Sequence, residues 1–495
     1  MLPAYVRISM LVAIGGFLFG LETGSIGPVT VMSSFTTTVG HFTATTHGVI
    51  ISSILITAAF SSLISGNVAD TYGRPQTMLF GGAVFSLGTA LEAAAPNLPT
   101  FLAGRIVAGI GEGFTLSLPV VYICEISPAA RRGPLASLPQ FVTVVGIACG
   151  YFLCYATSRI PASSASWRVP LAFQSLVGGV FALCCTLVPQ SPRWLLAKGR
   201  PREAARALAR LGITPAEHGE AVDTSVAERA AAAPRSLWQS VRAAFADLGL
   251  AVAKGVRGRT ALGCFLMAMQ QFAGIDGILY YAPLLFRQAG LSSETASFLA
   301  SGVSALAILA ATILATLFSD VVGRRKSVIG GGLAMATYMV VMGSLYASKS
   351  VHSDRGAGRW VVIVMIYLFA ITFSASWAVT LRVYAPEIQP PRTRASASSL
   401  AQSAHCFANF IVALTTPVFL STSSFGVYFF FGGCTLLTVV VSYFIMPETR
   451  GRTLEMIDSS FQNHSWLGNK KQEAQYVEGP GLTSEGQEIF VLRDV

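Results

Sequence analysis

Charge is what this sequence has least of. Only 12% of its 495 residues are Asp, Glu, Lys or Arg, against about 25% in a soluble globular domain. That shortage excludes a disordered chain and argues against a soluble enzyme. The eight cysteines (124, 149, 154, 184, 185, 264, 406 and 434) show no CxxC spacing and no cluster with histidine. They read as small packing residues in apolar stretches, so no metal and no cofactor is expected. There is no GxxxxGK[ST] segment, which excludes a nucleotide-driven pump of the P-loop kind. No nucleophile–base pair stands out, and the chain is not expected to be an enzyme. The first apolar run begins near Ile8 with only Arg7 before it and contains Glu22. It reads as a first membrane span and not as a cleavable signal.

What the chain has is apolar length. It is 53% hydrophobic with a mean hydropathy of +0.59. One bilayer span takes about 20 apolar residues. Apolar runs fall near 8–34, 48–69, 77–95, 99–124, 135–157 and 168–189, then near 260–286, 295–318, 327–347, 359–383, 396–420 and 425–446. The expected fold is an all-α membrane protein with 12 transmembrane helices in two six-helix bundles. Its expected domains are an N-terminal bundle (1–189), a cytoplasmic linker with short amphipathic helices (190–257), a C-terminal bundle (258–446) and a cytoplasmic tail (447–495). In the linker, 201–211 and 236–248 carry helical apolar spacing with basic faces.

The net charge of +10 follows topology. Arg7, Arg74, Arg131, Arg132, the linker, Arg324, Arg325, Lys326, Arg392, Arg394 and the tail lie on one side of the twelve spans. The other side holds only Arg159, Arg168, Arg287, Lys349, Arg355 and Arg359. Positive charge stays cytoplasmic, so both termini and the linker are expected inside. No nucleic-acid partner is implied. The sequon at Asn463 is then on the wrong side for glycosylation.

The two halves repeat. Tyr122, Glu125, Pro128 and Arg132 recur at one constant interval as Tyr384, Glu387, Pro390 and Arg394, and Asp70-x-x-Gly73-Arg74 recurs as Asp320-x-x-Gly323-Arg324. Two six-span halves related by a parallel repeat fit a secondary transporter with its substrate site between them. Gly73 and Gly323 suit tight turns. The Asp, Glu and Arg residues around them (Asp70, Arg74, Glu125, Arg132, Asp320, Arg324, Glu387, Arg394) sit where charge pairs would lock the cytoplasmic helix ends as a gate.

These motifs resemble the sugar porter family of the major facilitator superfamily, over about residues 10–458. The matching segments are Gly15 to Gly20, Gly104-Arg105 with Gly109, Gly111 and Gly113, and Tyr122-x-x-Glu125 to Gly133. They continue with Gln270-Gln271-Phe272-x-Gly274-Ile275, Tyr280-Tyr281 and Pro447 to Glu455. The run Glu387 to Ala395 is similar to fungal members. The resemblance implies alternating-access transport of a monosaccharide or polyol, a monomer, and a plasma-membrane location. It assigns hydroxyl-binding amides to Gln140 on span 5, Gln270 and Gln271 on span 7 and Asn409 on span 11, with Phe19, Tyr280 and Tyr281 as cavity walls. It also implies proton symport, with Glu22 on span 1 exchanging a proton and Arg105 on span 4 pairing with it in turn. A charge at mid-bilayer costs about 2.5–3.5 kcal/mol on insertion scales, so such residues usually pair or work. Glu112 lies two turns from Arg105 on the same face and is the second proton-site candidate, or a partner for Arg105.

Several positions depart from the family pattern. Asp276 stands where Asn is usual, Arg382 where many members have Trp, and His405 where an amide is usual. Cys406 replaces a Trp, Val379 and Leu381 replace prolines, and Gln190 replaces an acid in Pro189 to Arg193. Asp276 and Arg382 are expected to pair, either as a structural pair or with Arg382 gripping a substrate carboxylate. That second role keeps open a transporter of a sugar acid, a quinate-like acid or another small metabolite. A non-transporting nutrient sensor is the remaining reading, disfavoured by the short tail.

Overall fold

The computed structural model describes residues 3–128, 131–160, 163–213, 255–290, 294–352, 356–390 and 393–449, with single positions between 239 and 253 and Phe461. The second linker segment (236–248) is described only at scattered positions, and Asn463 and the tail beyond Phe461 lie outside the described residues.

Among the described residues, twelve candidate spans are long and apolar enough to cross a membrane, the seventh only when taken on to Tyr280. They are α1 (Ala4–Val31), α2 (Ala44–Tyr72), α3 (Arg74–Ala94), α4 (Leu98–Ile126), α5 (Leu138–Thr157), α6 (Ala165–Leu187), α7 (Arg257–Phe272), α8 (Glu294–Val322), α9 (Arg324–Ala347), α10 (Gly358–Glu387), α11 (Arg394–Thr422) and α12 (Gly426–Ile445). Large apolar side chains such as Leu176, Leu183 and Leu187 on α6 stay exposed, the pattern of helices whose outer faces meet lipid. All eight cysteines lie on these helices, none joined in a disulfide.

Two boundaries differ from the apolar-run reading. The first span ends at Val31, and a short helix, Ser33–Val39, takes up the rest of that run. Span 7 is broken. Gly274, with φ of 94°, ends α7, and the chain restarts as Ile275–Tyr280 and again as Ala282–Gln288. A left-handed backbone is where glycine replaces other residues without strain. The break interrupts the helical hydrogen-bond ladder at the level of Asp276.

The internal repeat is visible in the packing. In the first half α1 packs on α5, α3 on α4, α3 on α6, and α2 on α4. In the second half α7 packs on α11, α9 on α10, α9 on α12, and α8 on α10. Each pair maps onto its counterpart six helices later. The halves meet through two further pairs related the same way, α2 with α11 and α5 with α8. Each half has its own hydrophobic core, and each core borrows from the other. Val144, Ile147 and Tyr151 join the second core, and Tyr280, Tyr281 and Ala413 the first.

The helix Pro201–Leu211 buries Ala204, Ala207, Leu208 and Leu211. Two of these pack on Trp194 and Leu195, and Leu208 and Leu211 join the first core. Its apolar face therefore lies against protein.

Candidate functional site

A cavity of about 50 Å³ lies between the halves. At about 10–15 Å³ per water it holds a few waters, so the halves are drawn in around it. Phe19, Gln140, Gln270, Gln271, Asp276, Arg382 and His405 line it, with Thr23 and Ser374 adding hydroxyls. Gln270 Nε2 donates to the carbonyl of Trp377 at 2.9 Å. The carboxamide oxygens of Gln140, Gln270 and Gln271 are buried and have no hydrogen-bond partner. Buried polar atoms are rarely left so, and these three converge on one space.

Asn409 and the two tyrosines stand behind this wall. Asn409 Nδ2 donates to Asp276 Oδ2 at 2.6 Å and lies 3.4 Å from the Tyr280 hydroxyl. The Tyr281 hydroxyl donates to the carbonyl of Ala413 on α11 at 2.6 Å, and its ring sits edge-on to His47.

Asp276 and Arg382 do not meet as expected. No ion pair joins them. Gln271 Nε2 donates to Asp276 Oδ2 at 2.8 Å and to His405 Nε2 at 3.0 Å, and Arg382 Nη2 lies 3.4 Å from that same ring nitrogen. An arginine can only donate, so His405 Nε2 is an acceptor and the ring's proton sits on Nδ1. The two charges are bridged by an amide and an imidazole because the broken helix after Gly274 turns Asp276 toward Asn409 on α11.

A second buried cluster lies in the first half. Arg105 Nη1 donates to Glu22 Oε1 in an ion pair. Nε donates to the carbonyl of Ile50 at 3.0 Å and Nη2 to that of Ile51 at 2.7 Å. Sequence reading paired Glu22 with Arg105 but passed over Glu92, whose Oε2 lies 3.8 Å from the same Nη1. Glu92 is an acid in the last turn of an apolar span, close enough to a helix end to pass as solvated. The structure buries it completely. Glu112 is also buried, but it makes no ion pair with Arg105, and both its oxygens lack a partner.

The repeated motifs gather at the arginine-rich ends of the helices. Gly73 and Gly323, with φ of 97° and 84°, turn the chain between α2 and α3 and between α8 and α9. Arg74 pairs with Asp70 at 2.7 Å and with Glu125 at 3.0 Å. Arg324 lies 3.8 Å from Glu387, which accepts from Thr449 at 2.9 Å. The side chains of Arg132, Asp320 and Arg394 lie outside the described residues. The hydroxyls of Tyr122 and Tyr384 donate to the carbonyls of Pro189 and Pro447. The next residue in each loop differs. Glu448 accepts from the backbone N–H of Arg324 at 2.9 Å and of Arg325 at 3.1 Å, capping α9. Its counterpart is the neutral Gln190, beside Gly73 and bonded to Gln76.

At the opposite ends the halves close tightly. A Cβ on Gly48 would collide with the carbonyl of Leu414. Toward the arginine-rich ends the same α2–α11 seam is looser, since a Cβ on Gly66 would meet only the Ser399 hydroxyl at 3.5 Å.

Comparison with known proteins agrees with this architecture. The profile of the family described as "Sugar (and other) transporter" matches residues 8–461. The glucose transporter GlcP of Staphylococcus epidermidis is 31% identical over 91% of this chain and 96% of its own length. A "Probable quinate permease" of Neosartorya fischeri is 28% identical over 92% and 88%. The solved structure of the proton:xylose symporter XylE bound to 6-bromo-6-deoxy-D-glucose superposes with a TM-score of 0.72 at 25% identity, covering 92% of this chain and 99% of that one. With twelve spans in two matched halves around a shared polar cavity, and with that profile running almost end to end, the chain belongs to the sugar (and other) transporter family, as a multi-pass membrane transporter of the major facilitator fold.

Proposed function

We propose that the chain carries a monosaccharide or polyol by alternating access, together with a proton taken up on Glu22. One observation carries the substrate class: the carboxamide oxygens of Gln140, Gln270 and Gln271 line the cavity without donors of their own. A solute rich in hydroxyls supplies donors to all three, and its oxygens accept from Arg382. The relatives named for glucose and for proton:xylose symport support the same reading. Glu22 is the proton site because it is the carboxylate hydrogen-bonded to the buried Arg105. The paired acids and arginines at the turn motifs are the cytoplasmic gate, with both termini on that side. The protein works as a monomer in the plasma membrane.

A second reading has its own support. Arg382 lines the cavity without an ion pair to Asp276, and its Nε has no partner. A guanidinium so placed suits a substrate carboxylate, and one relative is named as a quinate permease. Uptake into proteoliposomes of labelled hexoses, pentoses, polyols and sugar acids, with and without an inward proton gradient, decides between them. Gradient-driven accumulation of a neutral member supports the leading reading. Movement of acids alone replaces it, and mere equilibration removes the proton.

A further inference from the structure

We propose that Glu92 is the second carboxylate partner of Arg105. It receives the guanidinium when Glu22 takes up a proton, and so sets the pH at which Glu22 does so. This rests on reading Glu22 as the proton site. The geometry that carries it is local. Glu92 is fully buried in the last turn of α3, with both oxygens lacking a hydrogen bond and Oε2 3.8 Å from Arg105 Nη1. That nitrogen is the one that donates to Glu22.

Space for the carboxyl comes from α4 itself. A Cβ on Gly104 would lie 2.7 Å from Glu92 Cγ, so the residue before the arginine is what lets the acid sit beside it. The other two guanidinium nitrogens are held by the carbonyls of Ile50 and Ile51. Arg105 therefore stays on α2 and has only to turn its Nη1 edge from one carboxyl to the other.

Charge balance argues the same way. Two buried carboxyls face one permanent cation, and an uncompensated charge at this depth is costly. The neutral arrangement is one carboxylate, one carboxylic acid and Arg105. With both acids ionised the cluster carries one uncompensated negative charge, which a proton arriving on the Glu22 carboxylate removes by making it the acid, Glu92 staying ionised throughout. Glu92 is then the carboxylate that keeps Arg105 compensated.

The other groups facing this cluster are few. Glu112 comes from α4, Cys154 from α5, and Tyr281 from the stretch after α7. Arg168 of α6 holds the end of α3 through the carbonyls of Ala93 and Ala95. Asp276 faces Glu112 from the second half.

The test is an infrared pH titration of the full-length protein in lipid vesicles, reading the carboxylic-acid carbonyl band. It needs no knowledge of the substrate. Glu22→Gln should remove the band that belongs to Glu22. Glu92→Gln should keep that band and move its midpoint at least one pH unit lower, a tenfold loss of proton affinity, because protonating Glu22 then strands Arg105. Glu92→Asp keeps the charge and should restore part of the shift; it also serves if the Gln variant does not fold. An unchanged or raised midpoint in Glu92→Gln overturns the role of Glu92 alone. Survival of the whole band in Glu22→Gln overturns the proton-site reading, and this proposal with it.

Discussion

Replacing Glu22 with Gln separates coupling from transport. Gln keeps the size of the side chain and one acceptor for Arg105 Nη1, but it cannot hold an extra proton. Removing one partner of a buried ion pair costs about 3–5 kcal/mol. Here the carbonyls of Ile50 and Ile51 and the carboxyl of Glu92 remain around the guanidinium. The loss belongs at the low end of that range, and the variant is expected to fold. Coupling has a larger signature. Each pH unit is worth about 1.36 kcal/mol per proton. A gradient of two units therefore stores about 2.7 kcal/mol and, with one proton per solute, drives up to roughly a hundredfold accumulation. The assay uses proteoliposomes with the alkaline side inside and whichever labelled sugar the wild type accumulates, with counterflow at equal pH run in parallel. In Glu22→Gln the accumulation ratio should fall to about one while counterflow persists. Accumulation of tenfold or more in the variant would refute the assignment and move the proton to Glu112 or Glu92.

Three further outcomes follow from the geometry. Gln190→Glu should restore in the first half the cap that Glu448 gives α9. A carboxylate at a helix N-terminus is worth about 0.3–1 kcal/mol, so thermal denaturation should rise slightly while turnover falls as the gate holds longer; lower stability would count against the equivalence of the two loops. Gly48→Val drives its Cβ into the carbonyl of Leu414. It should wedge that end of the α2–α11 seam open and cut transport at least tenfold, with rising reactivity of cysteines introduced on that face as the check. The double exchange Asp276→Arg with Arg382→Asp should fail to restore transport. The two are linked through Gln271 and His405, and an arginine at 276 would face the donor amide of Asn409; recovery to near wild-type uptake would show a simple ion pair after all.

Much of this molecule is determined by its sequence alone. The scarcity of charge and the spacing of the apolar runs dictate the spans, because a bilayer accepts only helices whose backbone is satisfied internally. The recurrence of Asp-x-x-Gly-Arg and Tyr-x-x-Glu gave the twofold plan, since equal motifs at equal places build equal turns. Glu22 and Arg105 were legible as a pair because two opposite charges in apolar spans have few other ways to be tolerated.

Tertiary structure decided the rest. Glu92 carries no motif, and whether an acid near a span end is wet or buried depends on what packs over it, here Gly104 and Arg105 of the next helix. The partners of Asp276 depend on the backbone break at Gly274, which redirects a carboxylate by changing where its Cα points. Gln190 was visible as a missing acid, but only its place opposite Glu448 says which helix end lost a cap. Sequence spacing fixes faces along one helix; distances between helices are set by side chains that meet only once the halves are packed.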